Sequence, residues 1–203
     1  FEMAEQVEKL VKVYKNTKVD AQMLKDADVD AVILAIGSSP ITIKLEGMDK
    51  LQHASAPEVL RHEVCPKAKG AVIGGGLVGL ETADTLATDG CDVTVLEMKD
   101  EIGSDLGSLR KIAVMMKLQQ MQVKMLPNSK VCKFTEEGIV LEDETLVPCN
   151  CAVFAVGFAS NDSHLLVEEC EKRQIPCRVI GDAKSARRAL DAIAEGFEAA
   201  RTL

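Results

Sequence analysis

Tryptophan is absent from this 203-residue sequence, and tyrosine occurs once, as Tyr14. Aromatics make up only 3% of the chain, too few for a platform that stacks single-stranded nucleic acid. Positive charge is also scarce. Lys and Arg total 24 against 32 Asp and Glu, a formal net charge of −8, which is poorly suited to gripping nucleic acid or an anionic membrane. No apolar run approaches the ~20 residues that a membrane helix needs. The longest, 31–36 and 152–156, have the length of strands. No secretory leader opens the chain, and Phe1 already sits in a helical pattern, which reads as a piece of a longer polypeptide. No CxxC occurs among the seven cysteines, and the count is odd. They read as buried free thiols in a reducing cytoplasm. The Cys149/Cys151 pair is a weak metal or redox signal, and His53, His62 and His164 stand at no ligand spacing, so no metal site is expected. Neither a GxSxG turn nor a histidine placed for a triad is present.

What remains is a globular composition, 47% hydrophobic and 28% charged. Met3, Val7, Leu10 and Val11 share one helical stripe, a short strand is expected over 11–14, and a turn or two of helix begins at Ala21. DAVILAIG, 30–37, reads as a strand buried on both faces, and SSP, 38–40, as a chain break. Residues 41–66 read as a connector with one short helix near 57–61. Strands are expected over 70–73, 92–97 and 123–126. Helices follow over 77–89, ended by Gly90, and 109–121, whose methionines should pack in the core. Short β-pieces at 130–134, 138–141 and 145–147 suggest a meander, and 151–157 a further buried strand. A strand over 178–183 then leads to a last helix over 186–203. Ser185 is its candidate cap, and Leu190, Ile193, Phe197 and Ala200 form its apolar stripe.

The strongest chemical signal is Gly74-Gly75-Gly76-Leu77-Val78-Gly79, placed after an expected strand and opening an expected helix. Gly74 permits a tight turn, Gly76 lets backbone approach a pyrophosphate, and Gly79 lets helix pack on strand. The free amides at the helix start favour an anion. Glu97 follows 18 residues after Gly79, at the end of the next strand. A carboxylate there binds ribose hydroxyls and repels a 2′-phosphate, which favours NAD(H) over NADP(H), with Lys99 nearby as an opposing charge. Glu81, on the first turn of the helix, is either a complement to the helix dipole or a contact for the nicotinamide end. Arg187 and Arg188, where the last helix begins, read as a solvated surface or as partners of an anion.

In this order the pieces resemble a two-dinucleotide flavoprotein. DAVILAIG resembles the strand leading from flavin domain to NAD domain, with Ile36 where threonine is usual. GGGLVGLETA matches the second glycine motif, and AVGFASND, 155–162, resembles the strand that closes the NAD domain and adds Gly157 to the cofactor-binding candidates. IGDA, 180–183, resembles the motif whose aspartate contacts the flavin, which nominates Gly181 and Asp182. Together with IGSDLG, 102–107, and IGDAKSARRALDAIAEGFEAARTL, they resemble the C-terminal region of NADH:flavin oxidoreductases of the old yellow enzyme type. The resemblance implies an α/β fold, with a Rossmann-like NAD(H)-binding domain over 42–160. It combines a parallel sheet, helices and a β-meander, and is inserted in a partial FAD-binding domain over 1–41 and 161–203. It implies NAD(H) here, FAD in the full-length protein, and FMN and a 4Fe–4S centre outside this chain. Its activity would be transfer of hydride from NADH to FAD and on to an activated alkene, with the fragment alone inactive. Partners would be the rest of its own polypeptide and a possible second copy. Disulfide or ferredoxin reductases of the same architecture, and a non-catalytic dinucleotide-binding module, remain the alternatives.

Overall fold

The computed structural model describes residues 2–203, with side chains from Glu5 onward. In chain order the elements are α1 (Glu2–Leu10), α2 (Ala21–Asp26), β1 (Val32–Leu34), β2 (Ser38–Pro40), β3 (Gln52–Ser55), α3 (Ala56–Leu60), β4 (Lys69–Ile73), α4 (Leu77–Thr88) and β5 (Asp92–Leu96). They continue as α5 (Ser108–Gln120), β6 (Lys124–Leu126), β7 (Val131–Thr135), β8 (Gly138–Leu141), β9 (Leu146–Pro148), β10 (Cys151–Phe154), β11 (Phe158–Ser160), α6 (His164–Lys172), β12 (Cys177–Val179) and α7 (Ala189–Thr202). The chain divides into two compact units. One is Ser39–Ala159, and the other joins the residues up to Ser38 with Ser160–Leu203. The two crossings between them, β2 and β11, pair as a two-stranded ribbon. Ser38–Pro40 is therefore a strand and not the break expected from its sequence.

The unit Ser39–Ala159 is built on a parallel five-stranded sheet in the order β3-β10-β4-β5-β6. Side chains alternate between faces along a strand, and here each face meets a different layer. Val72, Val93, Val95, Cys151 and Val153 join Leu80, Ala83 and Leu86 of α4, Leu118 of α5 and Val59 of α3 in one core. Ala71, Ile73, Leu96, Ala152 and Phe154 join Phe134, Ile139, Leu141 and Val147 in the other. The second layer is the antiparallel meander β7-β8-β9. Two of the few aromatics, Phe134 and Phe154, stack there with ring centres 6.0 Å apart. Continuous apolar runs are thus required in the central strands, because neither face meets water.

The connector over 41–66 is richer than its sequence suggested, since it supplies the edge strand β3. Gln52 and His53 are exposed, so no apolar run marks it. Helix α3 is started by a capping box: Glu58 Oε2 accepts from the Ser55 N–H at 2.7 Å and from its hydroxyl at 2.6 Å. In α5, Met115 packs against the core as expected, whereas Met116 is exposed.

The second unit pairs β1 with β12 in a two-stranded parallel sheet, with α2, α6 and α7. Arg173, at the end of α6, donates to the carbonyls of Leu24 and Ala27 and so ties down the last turn of α2. Several expectations are corrected here. Residues 11–14 form no strand, and Val11, Val13 and Tyr14 are exposed. On α1, Val7 and Leu10 are exposed, while Met3 lies outside the described side chains. β1 is buried only at Leu34, because its sheet has one partner strand and Ile33 faces solvent. α7 starts at Ala189 instead of 186, with Arg188 and not Ser185 at its cap. Its expected stripe is open: Leu190, Ile193 and Phe197 are exposed, and Ala199 is the residue it buries. Helix α6 has no counterpart among the elements expected from the sequence.

Both large apolar clusters lie within Ser39–Ala159. Local opening follows buried apolar contact. Amides of β4, β5 and β10 should therefore exchange slowest, and those of β1, β12 and α7 should open at a cost lower by roughly 2 kcal/mol or more. Hydrogen exchange read by mass spectrometry checks this.

Candidate dinucleotide site

At the carboxyl end of β4 the chain turns sharply through Gly74, whose φ is +112°. Its N–H donates to the Leu96 carbonyl at 2.8 Å, which fixes the turn against β5. A Cβ at Gly74 would meet the Ala155 carbonyl oxygen at 2.4 Å. The α4 helix then begins at Leu77 with Gly76 as its cap. A Cβ on Gly79 would stand 1.9 Å from the Gly74 carbonyl oxygen. Only glycine lets helix and turn approach this closely.

Glu97, half-buried at the end of β5, folds onto this turn. Its Oε2 accepts from the Gly75 N–H at 2.7 Å and its Oε1 from the Lys99 N–H at 2.9 Å. Its backbone is held as well: the Glu97 N–H donates to Leu126 O, and Glu97 O accepts from the Ser129 N–H. The carboxylate is thus aimed by four hydrogen bonds. Its half-buried place lies where the strand, turn and helix meet. Lys99 touches it through a backbone amide.

A residue for which sequence reasoning assigned no role completes the cluster. Asp105 accepts from the Leu77 N–H with both oxygens, at 3.1 and 3.0 Å. It lies in the IGSDLG stretch, but 28 residues separate donor from acceptor, and only the fold brings them together. Gly74, Gly75, Gly76, Leu77, Val78, Gly79 and Glu97 are gathered in one place. Glu81 belongs elsewhere. It stands in the second turn of α4 rather than the first, and it pairs with Arg110 of α5 at 2.9 Å. Both side chains are half exposed, so the pair contributes little to stability. Gly157, with φ +105°, is an exposed turn residue whose carbonyl accepts from the Ile41 N–H.

A second cluster lies in the other unit. Asp182 accepts from the Ser38 hydroxyl at 3.1 Å and the Arg187 N–H at 3.2 Å. Gly181, at φ +60°, donates its N–H to Glu195 at 2.7 Å. Glu195 also binds Arg187 and Lys184. The anion that accounts for Arg187 is therefore a side chain of this chain. Arg188 gives its backbone N–H to Asp191. The Arg187 guanidinium, with the Gly181 amide, holds the Glu195 carboxyl down at about 2.

The buried thiols of the β10 region are poor nucleophiles. Burial pushes Cys149 and Cys151 up to about 11. Cys91 and Cys170 are also buried and Cys177 is half-buried, but Cys65 and Cys132 are exposed, against the expectation of burial.

A family profile described as pyridine nucleotide-disulphide oxidoreductase matches residues 2–183. The chain belongs to that family. Bilirubin reductase of Mediterraneibacter gnavus is 35% identical over 191 residues, covering 91% of this chain and 29% of that protein. Cinnamate reductase of Clostridium sporogenes is 33% identical over 95% of this chain and 29% of its own length. NADH oxidase of Thermoanaerobacter brockii is 30% identical over 94% of this chain and 30% of its own. The chain thus spans about three tenths of these relatives. The fold is shared with a solved 2-naphthoyl-CoA reductase, with a TM-score of 0.88 at 24% identity over 98% of this chain and 31% of that one. It is shared also with the disulfide reductase RclA of Escherichia coli, at a TM-score of 0.70 and 15% identity over 85% of this chain and 44% of that one.

Two expectations follow for this pyridine nucleotide-disulphide oxidoreductase chain. Gly79→Ala forces a methyl group onto the Gly74 carbonyl and should lower stability by ~1–3 kcal/mol in urea unfolding. The Glu195 contribution has the sign of a depressed carboxyl. It is fully present above about pH 4.5 and is lost as pH falls towards about 2. Glu195→Gln should therefore shrink the drop in urea midpoint between pH 4.5 and 2.5, while leaving the slope from pH 7 to 5 unchanged.

Proposed function

We propose that this chain is the NADH-binding part of a flavin oxidoreductase, with the nucleotide seated on Gly74–Gly79 and Glu97. The observation that carries the reading is the folding of Glu97 onto the glycine turn at the start of α4. The donor set suits the group. Backbone amides at a helix start suit a pyrophosphate, and glycine at 76 puts no side chain of its own in the way. A carboxylate has about four acceptor positions. Two are used by Gly75 and Lys99, which leaves room for the two hydroxyls of an adenosine ribose. A 2′-phosphate would meet that carboxylate at contact distance, so NADH is favoured over NADPH.

Residues 42–160 form the NAD-binding domain in this reading, and 1–41 with 161–203 form part of a flavin-binding domain. Asp182 keeps acceptor positions beyond Ser38 and Arg187, as a contact for FAD requires. Gly181 shapes the turn that presents it. When bound, NADH supplies a hydride and FAD accepts it. This chain's residues bind and orient; none of them needs to transfer a proton. Gly157 acts as a turn. The whole protein would reduce an activated alkene of the enoate or enoyl-CoA class, as the relatives named for cinnamate and bilirubin suggest. FMN and an iron–sulfur centre would belong to other parts of the polypeptide, and a second copy could join it.

Calorimetric titration of the purified chain with NADH and NADPH tests this. NADH should bind at least tenfold tighter, about 1.4 kcal/mol, and Glu97→Gln should abolish the difference. Equal affinity in the unaltered chain would remove Glu97 from the site. Absence of binding would overturn the reading.

A further inference from the structure

The entrance of α4, where the proposed pyrophosphate would lie, already holds an anion. Both oxygens of Asp105 sit on the Leu77 N–H. A methyl group on Gly76 would come within 3.1 Å of Asp105 Oδ2, so the carboxylate lies against the glycine turn itself. The segment carrying it is anchored independently of that bond. Gly103 donates its N–H to the Gly75 carbonyl at 2.7 Å, Ile102 is buried against Gly75, and Lys111 pairs with Glu101 at 2.5 Å. Asp105 itself stands exposed, so its side chain can turn into water while those anchors stay in place.

A carboxylate accepting at a helix start satisfies an amide that would otherwise lack a partner, and it complements the dipole. A phosphate asks for the same amide with the same sign of charge. The two anions cannot both occupy one donor at contact distance. We propose that Asp105 is an internal stand-in for the dinucleotide phosphate, holding the Leu77 amide while the site is free and releasing it when the nucleotide binds. Its charge therefore opposes binding and sets the affinity. This rests on the assignment of the glycine turn as the nucleotide site.

The test compares the unaltered chain with Asp105→Asn and Asp105→Ala by calorimetric titration with NADH, at low and high salt. Asparagine keeps the size and a capping oxygen, so this variant serves if the alanine form folds poorly. Both variants should bind NADH about tenfold tighter or more than the unaltered chain at low salt. The gain should shrink at high salt, because it comes from an exposed charge. Adenosine, which has no phosphate, should bind all three alike in competition. If the unaltered chain binds NADH and neither variant binds it tighter, Asp105 does not compete for the amide and the proposal falls while the site stands. A gain that extends to adenosine would also overturn it, since the effect would not concern phosphate. If none of the three binds NADH, the site assignment itself fails and takes the proposal with it.

Discussion

The approach of α4 to the turn before it leaves no space for a methyl group. Gly79 lies so near the Gly74 carbonyl that a Cβ would overlap it, and Gly74 in turn lies under the Ala155 carbonyl. Everything at the site depends on that closeness. It sets the first amides of α4 beside the end of β5, where Glu97 emerges. It brings the Gly75 amide to the Glu97 carboxylate and the Leu77 amide to Asp105. A helix displaced by the width of one methyl group would separate these donors from their acceptors.

The sheet beneath holds this geometry because it is covered on both faces. Helices take one side and a meander the other, and successive residues of β4, β5 and β10 serve each in turn. The remaining unit has no such support. Its sheet has two strands, and its last helix presents Leu190, Ile193 and Phe197 to solvent. A few buried apolar side chains, Leu24, Leu34, Cys170 and Ala199, are joined there by polar ties, Arg173 on the end of α2 and Glu195 on Gly181 and Arg187.

The parts legible in the sequence were those set by local rules. Glycines at 74, 76 and 79 between an apolar run and a helical stripe define a turn with few alternatives, and Glu97 follows from strand length. The meander was visible because its turns carry their own glycine and acidic residues. Failures came where tertiary pairing decides. β3 carries Gln52 and His53, since an edge strand needs no apolar run. DAVILAIG looks like a core strand yet has one neighbour. Glu81 is answered by Arg110, and Asp105 reaches an amide far back along the chain. Neither pairing leaves a periodic trace.

The strand order also governs how the chain can be assembled as it is synthesised. β10 lies between β3 and β4, and its first residue, Cys151, pairs with Gln52, 99 positions earlier (151 − 52). Until that late strand leaves the ribosome, β3 has no neighbour and one edge of β4 is bare. An open parallel edge is a template for pairing with another chain. The meander, complete by Pro148, closes through local hairpins just before β10 arrives. The five-stranded sheet is thus completed by inserting β10 between β3 and β4, and a chain stopped short of Phe154 would leave an edge of β4 bare.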